Sequence, residues 1–190
     1  MKWLGWLFVL ALTGCATQPV VIQPQAASVL PPGEYWKMTG RFGASHDEES
    51  WSGGIEWRQQ GEGYFIQLSG PLGQGAVQLS GDDRSAQLKL AEDKVLNDGS
   101  AELLLWQHTG WRVPFAGMRY WMQGKVAPLA PIDQQEFDQD GRLVRLNQSG
   151  WRVDFRRYVA VNDQALPSKM LLQHDGISVR LVVDQWELSH

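Results

Sequence analysis

From Glu34 onward, apolar residues recur at every second position, and this alternation constrains the fold more than any other feature of the chain. Trp151, Val153 and Phe155 alternate with Arg152, Asp154 and Arg156. A side-chain period of two is the mark of a strand with one packed face and one wet face. Tyr64, Ile66 and Leu68 share one face of another such run. Val77 with Leu79, then Ala86 with Leu88 and Leu90, continue it, and Ile177, Val179, Leu181 and Val183 form a late strand. Turn signals separate the runs: Gly61-Glu62-Gly63, Gly81-Asp82-Asp83, Asn97-Asp98-Gly99, Gln139-Asp140-Gly141 and His174-Asp175-Gly176. Intervals of about 8–12 residues between turns predict an antiparallel meander sheet or barrel.

Two segments break the alternation. Ser100 is placed to cap a short helix carrying Ala101, Leu103, Leu104 and Trp106. Pro114 to Gln123 reads as a second helix, with Pro at its start and Gly124 at its end. Helices of about ten residues are too short to stand alone. They must pack on the sheet, and the natural place is across an open barrel mouth. Residues 34–190 therefore read as one domain.

Composition narrows the function. At 43% hydrophobic and 20% charged residues, the chain is globular rather than disordered. A net charge of -4 without a long basic run argues against nucleic acid, whose phosphates need clustered Lys and Arg. One Cys excludes a disulfide framework and any multi-cysteine zinc site. His46, His108, His174 and His190 form no metal-ligand spacing, so neither a metal nor another cofactor is expected. His46 with Asp47, Glu48 and Glu49 reads as a solvated hairpin tip. Asp82-Asp83 and Glu92-Asp93 read as turn carboxylates that serve solubility. There is no Gly-x-Ser-x-Gly, and Gly70-Pro71-Leu72-Gly73-Gln74-Gly75 lacks the Lys and Ser/Thr of a phosphate loop. No catalytic residue is expected, and the chain reads as a non-enzyme.

The N-terminus reads as an address. Lys2 precedes an apolar run from Trp3 to Leu12, shorter than the roughly 20 residues of a membrane-spanning helix. It fits the core of a secretory signal. Leu12-Thr13-Gly14-Cys15 resembles the bacterial lipobox, which implies cleavage after residue 14 and lipidation of Cys15 on both sulfur and amine. Three acyl chains exceed the two signals that stable anchoring takes. By the same resemblance, Ala16 after the cysteine favours the periplasmic face of the outer membrane. Residues 15–33 follow as lipidated cysteine and tether. Ala16 to Gly33 holds Pro19, Pro24, Pro31 and Pro32 and no charge. Fully stretched, it reaches about 60 Å.

What remains is apolar bulk in a sheet. Trp is unusually frequent, at 10. Tryptophans in the body of the chain either fill the interior or wall a greasy cavity, since each is rigid and buries about 150–250 Å². Leu72 is the sharpest single residue. Turn chemistry explains Gly70, Pro71 and Gly73 but not Leu72, whose exposure forgoes about 1.5–3 kcal/mol relative to burial. It either folds back on the core or projects for a purpose.

At this point the residues resemble the LolB family of outer-membrane lipoproteins. The matching stretches, in order, are Gly40-Arg41-Phe42, Trp57, Tyr64-Phe65-Ile66-Gln67-Leu68 and Gly70 through Gly75. Then come Ala101-Glu102-Leu103-Leu104, Val113-Pro114, Tyr120-Trp121 with Gly124, Gly150 through Phe155, Leu166-Pro167 and a closing Val179 to Trp186. Met118 and Phe155 depart from the expected residues but keep apolar bulk. The resemblance implies an incomplete, unclosed antiparallel β-barrel with short helices as a lid over a hydrophobic cavity. It implies an acceptor that takes lipoproteins from the periplasmic carrier LolA by their acyl chains and inserts them into the outer-membrane bilayer. It also implies that Leu72 projects from its loop for membrane delivery. The expected unit is a monomer. The candidate cavity wall comprises Trp57, Ile66, Leu68, Val77, Leu88, Trp106, Trp121, Val153 and Phe155. The alternative is a lipid-anchored lipid-binding or envelope-assembly protein with other cargo.

Overall fold

The computed structural model describes residues 34–70, 76–90, 94–110, 112–128 and 130–189. Its framework is one sheet of eleven antiparallel strands: β1 (Tyr35–His46), β2 (Glu49–Gln60), β3 (Gly63–Ser69), β4 (Val77–Gly81), β5 (Ala86–Lys89), β6 (Val95–Asp98), β7 (Ile132–Phe137), β8 (Leu143–Gln148), β9 (Trp151–Val161), β10 (Gln164–His174) and β11 (Ile177–Ser189). The spatial order is β6-β5-β4-β3-β2-β1-β11-β10-β9-β8-β7. The chain meanders outward to β6, crosses through α1 (Ala101–Thr109) and α2 (Phe115–Trp121), and meanders back from β7 until β11 pairs with β1. The two outer strands, β6 and β7, do not pair with each other, so the barrel stays open where the helices lie.

The alternation works as expected in β9, where Trp151, Val153 and Phe155 are buried while Arg152 and Arg156 face solvent. Strand β11 carries one extra residue, Asp184, opposite β1, whose own inward series of Trp36, Met38, Phe42 and Ala44 keeps its parity. The register of the pair shifts between Thr39 and Gly40. A Cβ at Gly40 would overlap the carbonyl oxygen of Val182, so the bulge admits only glycine. Asn97 and Asp98, expected in a turn, are the last residues of β6. Leu96 pairs with Leu88 there, and the Gln87 Nε2 amide donates to Asn97 Oδ1 at 3.0 Å.

Both helices form where the sequence puts them. The Ser100 hydroxyl accepts from the Leu103 amide at 3.2 Å, and Gly110 ends α1 at φ 73°, its N–H bonded to the Trp106 carbonyl. Pro114 precedes α2. Helix α2 has a borrowed cap: the Glu102 carboxylate of α1 accepts from the Ala116 amide at 2.7 Å, placing negative charge on the first turn.

One end of the barrel is plugged by aromatic rings. Trp36 is fully buried, 5.4 Å from Trp57 and 5.5 Å from Trp186 between ring centroids. Phe115 of α2 stacks on Trp57 at 5.2 Å and meets Tyr64 at 4.5 Å. Tyr35 and the β2–β3 turn lie at this end, since the Gly61 amide donates to the Glu34 carbonyl.

Candidate functional site

Beyond the aromatic plug lies a cavity of about 170 Å³. Every described residue that lines it is apolar. The sheet contributes Phe42, Ala44, Trp51, Ile55, Trp57, Ile66, Leu68, Val77, Leu79, Leu88, Leu172, Val179 and Leu181; the helical crossover contributes Leu105, Val113, Phe115, Met118 and Met122. Trp51 stands at the outer rim and is 59% exposed. A larger hollow of about 390 Å³ opens near the plugged end, lined by Gln123, Lys125, Gln135, Arg142 and Gln164 beside Tyr158 and Leu166. Hydrocarbon strips water from polar groups without replacing their hydrogen bonds, so the smaller, wholly apolar space is the better site for it.

Five of the nine candidate wall residues lie on this cavity: Trp57, Ile66, Leu68, Val77 and Leu88. The other four do not. Trp106 is 44% exposed, with the Arg112 guanidinium 4.9 Å over its ring. Helical geometry explains this: Ala101 and Leu104 face the sheet, Leu105 reaches the cavity, and Trp106 falls on the outer side. Trp121, Val153 and Phe155 are buried in solid core on the β8–β9 side. Trp121 donates its indole N–H to Gln148 Oε1 at 2.9 Å. The hollow is therefore lopsided, with β1 to β5, β10 and β11 around it and β8 and β9 packed tight.

Sequence reasoning missed several lining residues. Leu79 was legible as the partner of Val77 in β4, as were Val179 and Leu181 in β11. Phe42 and Ile55 sit beside glycines that interrupt the pattern. Cys15, Pro71, Leu72 and Gly73 lie outside the described residues, as do Glu92 and Asp93. Gly70, half-buried, is the last described residue before that loop.

The helical cover is fastened at two places. Arg119 of α2 makes a paired contact with Asp83 in the β4–β5 turn, at 3.0 and 3.4 Å. Burial opposes the Arg119 charge, but Asp83 outweighs it and raises its pKa. Asp82 and Asp83, expected to aid solubility, thus have structural partners. Asp82 accepts from the Arg84 and Ser85 amides, shaping the turn that presents Asp83. Burial, then Glu102, Asp82 and Asp83, pushes the neighbouring Tyr64 phenol up to about 12, so it stays neutral. The second fastening is Gln148, at the end of β8. It accepts from the Trp121 indole and the Ala127 amide, and donates to the Ala127 and Ala130 carbonyls.

An unclosed sheet, a helical crossover and an all-apolar cavity beneath it match the expected architecture. The family model "Outer membrane lipoprotein LolB" matches residues 34–186. The chain belongs to that family. Relatives named "Outer-membrane lipoprotein LolB" include one from Nitrosococcus oceani, 37% identical over 155 residues, covering 82% of this chain and 77% of the relative. One from Thiobacillus denitrificans is 35% identical over 177 residues, covering 93% and 92%. Two solved structures share the fold. A putative outer membrane lipoprotein-sorting protein domain from Vibrio parahaemolyticus matches with TM-score 0.56 at 11% identity, covering 82% of this chain and 85% of that one. A DUF1329 family protein from Desulfovibrio piger matches with TM-score 0.54 at 7% identity, covering 85% and 88%.

Proposed function

We propose that this protein is a lipid-anchored outer-membrane acceptor in lipoprotein localisation. It takes the acyl chains of cargo lipoproteins from the periplasmic carrier LolA into the cavity under α1 and α2, and passes them to the bilayer. The observation that carries this reading is the all-apolar cavity beneath a helical cover in a chain of the LolB family. Binding and release of hydrocarbon make no covalent bond, so no cofactor is called for. Transfer runs down a gradient of affinity, with this cavity the better site than the carrier's.

At about 170 Å³ the cavity is smaller than the roughly 300–1,000 Å³ of ordinary ligand pockets. Admitting acyl chains requires the cover to lift. The Arg119–Asp83 contact lies near water and is the weaker fastening; the Gln148 amide network is buried and stays closed. Phe115 would leave the face of Trp57 as α2 rises.

Tryptophan emission is therefore expected to shift when a long-chain amphiphile saturates the cavity, and Trp57→Phe is expected to remove most of that change. Unchanged emission at saturation would indicate a filled core and favour an envelope-assembly role without a cavity ligand. The decisive experiment is transfer of acylated cargo from carrier to this chain. If Cys15 serves only as an anchor, a version lacking residues 1–15 accepts cargo in solution as well as the lipidated chain does. Failure of that soluble version to accept cargo would refute a purely anchoring role for the lipid.

A further inference from the structure

Cations that are scattered along the sequence meet on the outward face of the sheet. Register places Arg157 of β9 opposite Lys169 of β10, Lys169 opposite Val182 of β11, and Val182 opposite Arg41 of β1. Arg180 lies on the same face of β11, opposite Leu171. Register shifts on both sides of Lys169 leave Arg156 without an opposite residue, so Arg156 and Arg157 both face solvent. Arg41, Lys169 and Arg180 are exposed as well. Inward residues of the same strands, Leu172, Val179 and Leu181, line the cavity, so this face is its back. The helical crossover lies across the barrel, at the gap between β6 and β7.

Carboxylates do not neutralise this face. Asp184 pairs with Arg41 at 3.1 Å, Glu187 with Lys37 at 3.2 Å, and Asp154 is held by Arg145 and Arg152. Among the described residues, Arg156, Arg157, Lys169 and Arg180 have no ion-pair partner. Asp163 lies at one end of these strands; Asp47, Glu48, Glu49 and Asp175 lie at the other. Both groups are about 15–20 Å along the strands from the row of Lys169, beyond the screening length of about 8 Å at physiological salt. Like charges directly opposite in a sheet cost stability, yet Arg157 and Lys169 stand opposite each other. A partner that supplies negative charge removes that cost.

We infer that the outward face of β9, β10 and β11, with Arg41 of β1 at its edge, docks on the phosphates of anionic phospholipids. The anchored barrel then lies on its back, with the helical cover turned away from the membrane toward arriving cargo. Release requires it to leave this pose, so docking serves uptake. A lipid surface fits better than a protein because of what the face lacks. Protein interfaces are built on aromatic and Met anchors. Among the described residues of these three strands, Val159 is the one exposed large apolar side chain. Flexible cations on a broad sheet suit phosphates that present no fixed pattern. Each Lys or Arg near an anionic surface strengthens binding about fivefold. The four unpaired cations together favour the docked pose on the order of a hundredfold, because a curved face does not seat all of them fully. The inference rests on the reading of Cys15 as the anchored residue.

The test uses the full lipidated chain in phosphatidylcholine vesicles, with and without phosphatidylglycerol. Because Cys15 is the only cysteine and its thiol would be blocked by lipid, Gln185→Cys or Gln107→Cys takes a dye at one place. Gln185 is exposed on the outward face of β11, opposite Thr39; Gln107 is exposed on α1. A quencher carried on lipid headgroups should quench the dye at 185 severalfold more than at 107. It should do so only with phosphatidylglycerol, and less as salt rises. Lys169→Gln should weaken the docked pose about fivefold, and Arg157→Lys should keep it. Changing Arg156, Arg157, Lys169 and Arg180 together to Gln should abolish it. The thermal midpoint of that quadruple variant should equal or exceed the parent's, since the opposed charges are gone. If it falls instead, Lys169→Gln decides alone. Quenching at 185 that needs no phosphatidylglycerol, survives the quadruple change or only equals that at 107 overturns the inference. Shielding of the dye at 185 by the carrier, with no anionic lipid present, would mark a protein-docking face and overturn it too. Acylation of Cys15 is read separately from the mass of the purified chain. An unacylated chain that still docks on added phosphatidylglycerol vesicles would count against the anchor alone; one that does not dock would count against the face.

Discussion

Leu72→Glu is expected to cut delivery of acylated cargo to liposomes roughly ten- to a hundredfold while leaving uptake from the carrier unchanged. The estimate comes from the lost apolar insertion of a leucine, about 1.5–3 kcal/mol, at about 1.4 kcal/mol per factor of ten. A carboxylate adds to this by resisting the interface and by repelling anionic headgroups. On the proposed reading uptake uses the cavity, whose β3 and β4 walls include Leu68 and Val77 on either side of the loop. The thermal midpoint should stay within about 2 °C, because a charge at an exposed tip is solvated. A large drop in midpoint would place Leu72 in the core. Normal delivery by a well-folded Glu variant would remove the loop from the mechanism.

That prediction and the cavity differ in how they were legible. The strands with clean alternation, β3, β4, β5, β9 and β11 as far as Val183, were readable because each has one packed and one wet face there. Strand β1 was not, since Gly40 and Gly43 interrupt its inward series of Trp36, Met38, Phe42 and Ala44. Strand β10 hid because Pro167 and Lys169 break its run at register shifts, and Met170, Leu171 and Leu172 are buried without alternation. Strand β7 hid because it is an edge strand whose residues are mostly exposed, leaving no apolar face to read. In the candidate site, period two showed which residues point inward but not which meet empty space. Val153 and Leu79 look alike in sequence. Val153 packs against solid core because β8 and β9 close tightly, whereas Leu79 faces the hollow under α2. That difference depends on how the helical crossover seats, which is a tertiary property. Trp106 was misplaced by judging bulk without helical phase.

The seating of that crossover can itself be broken at one residue. Gln148→Leu is expected to lower stability by about 3–5 kcal/mol, a fall in midpoint on the order of 10 °C. Gln148 is fully buried at the end of β8, and its amide uses both ends. The oxygen accepts from Trp121 Nε1 at 2.9 Å and from the Ala127 amide at 3.0 Å; the nitrogen donates to the Ala127 and Ala130 carbonyls at 2.8 and 3.0 Å. Leucine conserves much of the volume, so the loss is polar rather than a cavity. It strands two donors away from water, each costing about 1–3 kcal/mol. Combining it with Trp121→Phe removes one stranded donor together with its partner, so the double variant should be more stable than the two single losses added, by at least about 1 kcal/mol. Gln148→Glu should not rescue, because a carboxylate keeps the acceptor but faces the Ala127 and Ala130 carbonyls without a donor. Urea unfolding of the parent and the four variants, read by tryptophan emission and circular dichroism, gives the numbers. A Gln148→Leu chain within about 1 kcal/mol of the parent, or strict additivity with Trp121→Phe, would show that the amide does not hold the crossover to β8. If the amide does hold it, Gln148→Leu should also weaken amphiphile binding at temperatures where the chain is still folded. Once the Arg119–Asp83 contact has opened to admit the chain, a cover that has also lost Gln148 no longer encloses the hydrocarbon, whereas Arg119→Ala, which loosens only the solvent-facing end, should leave that affinity largely intact.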